Sequence, residues 1–215
     1  MATGECCQVR ESHAYGVEAL AVWGSRLASG SGRSIKVWAM AAGAPWACER
    51  ELLGHAGVVR SLAGWEDKVA SGSADGRIRV WDVGTGALDA TLAGHSGVVW
   101  ALVVHGDRLL SASGDGTIRA WALGTWAGLR TVEAWGEGTR MVPHSLAVSG
   151  SKLVCGSASH RTGLQPEVRV WGLEELDLQQ TLRQPADSDV RALVAVDGEV
   201  WGAVGKDVAV WGRKA

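Results

Sequence analysis

Phenylalanine is absent from this sequence, tyrosine occurs once and proline four times in 215 residues. An excess of one charge is also missing: 21 Lys and Arg stand against 23 Asp and Glu, scattered singly with no basic run. Nucleic acid is therefore not a favoured partner. The four cysteines, Cys6, Cys7, Cys48 and Cys155, lack the paired CxxC spacing of a zinc site and any even framework for disulfides, and predict free thiols in a reducing compartment. No basic flank followed by an apolar run appears in the opening MATGECC, and the longest apolar stretch, around VVWALVV, is far too short to span a bilayer. These absences lead us to expect a soluble cytoplasmic protein with no membrane partner. Helical periodicity is missing as well, since no stretch is long enough to insist on a helix.

What the sequence does have is hydrophobic content of 47%, enough for a substantial core in one domain over residues 1–215, and a phrase that recurs. SGSADGRIRVWD from Ser71 returns as SASGDGTIRAWA from Ser111. Tryptophan anchors the repeat: Trp38, Trp81, Trp121, Trp171 and Trp211 close the runs SIKVW, RIRVW, TIRAW, EVRVW and DVAVW at intervals of 43, 40, 50 and 40 residues. Every copy shows an apolar run, a tight turn, a second apolar run, a small-residue turn and the tryptophan run, with one further short stretch between copies. In the third copy these are VVWALVV, HGDR, LLSAS, GDG and TIRAW. The expectation is an all-β chain of about four strands per copy and about twenty in all.

The pairs Gly54-His55 and Gly94-His95, each 26 residues from His to the closing tryptophan, and the dipeptide Trp81-Asp82 resemble the WD40 repeat. The resemblance runs along the whole chain. It is strongest in the second and third copies; the first keeps His13 and Trp38 with a shortened turn, and the fourth and fifth lack the histidine. It implies a β-propeller of about five four-stranded blades, a count below the usual one of about seven in rings of this kind. The outer-strand-like N-terminal segment ECCQVRESH matches the strand missing after Trp211, so it can complete the last blade and close the ring. An open piece of a larger ring and two chains completing one another are the alternatives.

His55, Ser71 and Asp75, repeated as His95, Ser111 and Asp115, have the residue types of a hydrolytic triad. In the family resembled, however, this set with Trp81 and Trp121 implies a hydrogen-bonded chain inside each blade, and two identical sets forty residues apart point to architecture. GSGRS from Gly30 lacks the Lys-Ser/Thr ending of a phosphate loop and reads as a turn between strands. The six histidines are dispersed, none at ligand spacing with Cys or a carboxylate, so neither a metal nor a cofactor is expected.

Aligned on Leu20, Leu62, Leu102, Leu146 and Leu193, taken as core leucines, the residue two positions earlier falls at the start of each innermost strand, near the channel mouth. Those residues are Glu18, Arg60, Trp100, His144 and Arg191. A core position would repeat one apolar type, whereas this one varies and includes Trp and Arg, the types enriched at binding hot spots. The longer loop HRTGLQPE, with His160 and Arg161, is expected to overhang the same rim. The resemblance thus implies a non-catalytic scaffold or adaptor that binds a protein or peptide, as a monomer or within a larger complex. A substrate-recognition arm of a ubiquitin ligase is an alternative, although Val83 and Gly84 follow Trp81-Asp82 where one class of such receptors has an Arg. A propeller enzyme with a channel-mouth site is the other.

Overall fold

The structure is a computed structural model, described here for residues 13–40, 46–135, 141–159, 167–183, 189–196, 199–204 and 207–211. The described residues form nineteen strands and no helix. They group in sequence order into five antiparallel sheets, the blades of a β-propeller: four sheets have four strands, and the fifth, Val190–Val196, Glu199–Val204 and Asp207–Trp211, has three. Of the N-terminal segment expected to supply the remaining strand, residues 5–12 lie outside the described residues, as do His160 and Arg161.

The second blade shows how the sequence makes a sheet. Its strands are Val59–Trp65, Lys68–Ser73, Ile78–Asp82 and Leu88–Leu92, each just long enough to cross a blade. The inner hairpin turns on two residues, with Trp65 opposite Lys68. Such loops favour a left-handed first residue, because that twist matches the strands. Gly24, Gly106 and Gly150 supply it in other blades at φ of 51°, 57° and 56°, but here Glu66 adopts φ 44°. GSGRS proves to be another turn: Ser31 pairs with Ser34 around Gly32, at φ 53°.

Each blade packs both faces against neighbours, which is why apolar residues do not alternate cleanly with polar ones. The face toward the preceding blade carries large residues and the opposite face smaller ones. Val59, Leu62, Val69 and Trp81 of the second blade pack on Ala19, Ala28 and Val37 of the first. Val99, Leu102, Leu109 and Trp121 of the third pack on Ala63, Ala70, Ile78 and Val80 of the second. Leu146, Leu153 and Trp171 repeat the scheme on Leu110, Ala112 and Ala120, and Val190 and Val200 on Val154, Val168 and Val170. Full burial of one such side chain is worth about 1.5–3 kcal/mol.

One expected core residue departs from this pattern. Leu62, Leu102 and Leu146 are buried, but Leu20 is 63% exposed. No blade precedes the first one among the described residues, so the face Leu20 belongs to has nothing to pack on. Leu193 is half-buried.

Candidate functional site

Two clusters were expected from the sequence; the described residues contain the first, and they bring together four members of the second. In the second blade, Trp81 Nε1 donates to Ser71 Oγ at 2.9 Å, Ser71 Oγ lies 2.8 Å from His55 Nε2, and His55 Nδ1 lies 2.9 Å from Asp75 Oδ2. The inventory of protons orders this chain. An indole N–H only donates and a carboxylate only accepts, so the serine hydroxyl donates to Nε2 and the imidazole carries its proton on Nδ1. The third blade repeats it: Trp121 to Ser111 at 3.0 Å, Ser111 to His95 at 2.8 Å, and His95 to Asp115 at 2.8 Å. Ser71 and Ser111 are wholly buried, out of reach of a substrate.

The carboxylates also hold the loops that precede each blade. Asp75 Oδ2 accepts from the backbone N–H of Ala56 and from Arg79, both at 2.9 Å. Burial by itself would raise the Asp75 and Asp115 carboxyls, but hydrogen bonds from His55 and His95, aided by backbone N–H groups, outweigh it and hold both well below the usual carboxylate range. For His55 burial prevails, moving the imidazole below its ordinary value against the pull of Asp75.

The other blades vary the theme. His13 Nε2 lies 2.7 Å from Ser29 Oγ, which also accepts from Trp38 Nε1 at 2.9 Å. In the fourth blade a set missed in the sequence takes over. Ala134-Trp135 enters where Gly54-His55 and Gly94-His95 enter earlier blades, and Trp135 Nε1 donates to Glu167 Oε2 at 3.2 Å. Arg169 bonds the same carboxylate at 3.0 Å and places its guanidinium 5.0 Å from the Trp135 ring centroid. The only available signal was a tryptophan 36 residues ahead of Trp171, at a spacing stretched by the longer copy.

The second cluster crosses blades. Arg60 NH1 donates to Glu18 Oε2 of the preceding blade at 2.7 Å. Its guanidinium also stands 5.4 Å from the Trp100 ring centroid in the following blade, within cation–π range. Trp100 in turn stacks on His144, with centroids 4.6 Å apart and planes 24° apart. Four of the five rim positions thus form one ladder over four blades. Arg191 is not part of it and pairs with Asp189 at 3.3 Å. Beside Glu18 the ladder adjoins a cavity of about 830 Å³, lined by His13, Tyr15, Arg33, Lys36, Glu51 and Leu53 among others. Charged and aromatic groups meet there on an accessible surface. Among the described residues no three His, Cys, Asp or Glu side chains gather as metal ligands.

Known proteins resemble the chain in sequence and in shape. The family described as WD domain, G-beta repeat matches residues 4–39, 46–82 and 86–122. Among solved structures, the crystal structure of the computationally designed Ika4 protein superposes with a TM-score of 0.64 at 29% identity, covering 80% of this chain and 99% of that one. No curated protein matches.

Proposed function

This chain belongs to the WD40-repeat family, and from that membership we propose that it is a non-catalytic adaptor holding a segment of a partner protein across Glu18, Arg60, Trp100 and His144. WD40 propellers commonly mediate protein–protein interaction. The observation that carries the assignment to this rim is the ladder itself, in which a salt bridge, a cation–π contact and an aromatic stack join blades at half-exposed positions. Tryptophan and arginine anchor binding sites because each offers a large contact area beside a hydrogen-bond donor. Ordering them beforehand in the free protein lowers the entropic cost of binding. The burial of Ser71 and Ser111 supports a non-catalytic role for the two His-Ser-Asp sets. Free thiols at Cys48 and Cys155 suit a cytoplasmic location.

Photo-crosslinking tests the location. A photoreactive residue replacing Ser96, exposed in the loop that leads to Trp100, should trap a discrete partner in an extract of the source cells. The same residue at Leu129, exposed on an outer strand, should not. Equal adducts from both sites, or none from Ser96, would remove the rim from consideration.

A further inference from the structure

In the second and third blades one aspartate of the small-residue turn is held by a recurring set of donors. Asp75 accepts from His55 Nδ1, from the backbone N–H of Ala56 and from Arg79. Asp115 accepts from His95 Nδ1 and from the backbone N–H of Ser96 at 3.0 Å. The turns that carry these acids are three residues long, Ala74-Asp75-Gly76 and Gly114-Asp115-Gly116, whereas the first blade has only Gly32-Arg33 between the paired Ser31 and Ser34. The residue that the shorter turn omits is the aspartate.

The positions that would hold it are kept. His13, Ala14 and Lys36 stand in the first blade where His55, Ala56 and Arg79 stand in the second, and all three line the cavity of about 830 Å³ beside Glu18. His13 Nε2 is engaged by Ser29 at 2.7 Å, as His55 Nε2 is by Ser71, so Nδ1 is the ring atom that corresponds to the one Asp75 holds. Among the described residues no carboxylate hydrogen-bonds His13. Of the acids on the cavity wall, Glu18 is drawn to Arg60 at 2.7 Å, and Glu51 lies across the sheet from Lys36. Burial, with Lys36 nearby, keeps the His13 imidazole below its ordinary value, and Glu51 opposes them only in part. His55 has the bonded pull of Asp75 in addition.

We propose that this cavity binds a carboxylate from outside the fold, in the place that the side chain of Asp75 fills in the second blade. The carboxylate accepts from His13 Nδ1, from the Ala14 N–H and from Lys36, and Arg33 on the cavity wall adds a further positive charge. An amide of the same shape forfeits the charge and offers one acceptor oxygen instead of two. The volume exceeds what a carboxylate needs, leaving room for the molecule that carries it. An acidic side chain of a peptide lying on the adjoining ladder is one source and a small free acid is another. Only the first source rests on the reading of the rim as a docking surface.

NMR of the histidine-labelled chain, following the ring Cε1–H signals during titration with acetate at constant pH and ionic strength, tests the site. His13→Gln and His105→Gln identify two signals. Acetate should move that of His13 saturably and leave that of exposed His105 nearly still, whereas acetamide should move neither. Replacing Arg33 by Asp-Gly gives the first blade the turn of Gly114-Asp115-Gly116. Without acetate, the His13 signal of that variant should lie where the wild-type signal ends at saturation, and acetate should move it no further. Should that variant unfold, Lys36→Met takes its place and should weaken acetate binding about tenfold or more. A blocked Gly-Asp-Gly peptide that binds more tightly than acetate assigns the carboxylate to a peptide side chain, and one that binds no better assigns it to small free acids. A His13 signal that merely follows His105, one that responds equally to acetamide, or undiminished acetate binding in the folded variant would overturn the proposal.

Discussion

Cys155 holds in the fourth blade the register position that Ser71 holds in the second, each paired across the sheet with the arginine two residues before the blade's tryptophan, Arg169 or Arg79. The exchange has a consequence for that tryptophan. Trp81 Nε1 donates to the serine, while Trp171 Nε1 is buried with no acceptor among the described residues. An unsatisfied buried donor costs about 1–3 kcal/mol. Cys155→Ser should therefore raise stability by up to about 1 kcal/mol, part of the gain being offset by burying a hydroxyl in an apolar cluster. Urea denaturation checks this, and a lower midpoint would show that Trp171 does not use the new oxygen.

The chain from Trp81 to Asp75 should behave as one unit. His55→Ala and Asp75→Ala are each expected to lower stability by about 1–3 kcal/mol, and the double substitution by clearly less than their sum. A double-mutant cycle in urea measures the coupling. Simple additivity would mean that the two side chains stabilise the blade separately.

Acid should weaken the fold in two stages. The folded His55 imidazole lies below its ordinary value of 6.5, so on acidification the unfolded chain takes up that proton first. The stability tied to the neutral ring is complete above 6.5 and is lost as pH falls toward the folded value. Asp75 and Asp115 are depressed from 3.8; their contribution is present above that value and disappears as pH falls through the folded one. Melting temperature should hold steady above about pH 7 and decline below it, with a second, steeper decline in the carboxylate range. His55→Gln should flatten the first stage, and a first stage unchanged in that variant would assign it to other groups.

Much of this architecture was legible because the repeat writes it several times. Tryptophans at Trp38, Trp81, Trp121, Trp171 and Trp211 set the period, and turn residues between apolar runs marked the strands. The sets at His55 and His95 could be read because spacing and residue type recur together. The fourth blade escaped because its histidine is replaced by Trp135 and its serine by Cys155, so that neither type nor spacing signals the position. The rim residues could be aligned by counting from the core leucines. Their union into a ladder could not, because the reach from Arg60 to Trp100 depends on how adjacent blades stagger. The exposure of Leu20 was hidden for a similar reason: its sequence surroundings match those of buried Leu62, and only the absence of a packed neighbour distinguishes the two.

Glu66 offers a local test of the turns. It occupies a left-handed position, φ 44°, where Gly24, Gly106 and Gly150 stand in other blades. A side chain there costs about 1–2 kcal/mol, and glycine adds back part of that through a freer unfolded chain. Glu66→Gly should stabilise by about 0.5–1 kcal/mol. Thermal melting measures the gain, and a loss would show that the strain is relieved by contacts of the glutamate side chain.

The central claim is that the rim from Glu18 to His144 holds a partner, and one comparison tests it most directly. The wild-type chain, the double substitution Arg60→Ala with Trp100→Ala, and a control pair Leu88→Ala with Leu129→Ala on exposed outer strands would be immobilised in equal amounts and used to capture proteins from an extract of the source cells. Loss of about 1 kcal/mol or more per anchor corresponds to at least tenfold weaker binding for the pair. The account predicts that wild type and control retain the same partner, that the rim variant loses it, and that all three melt within a few degrees of one another. Undiminished capture by a folded rim variant would contradict it.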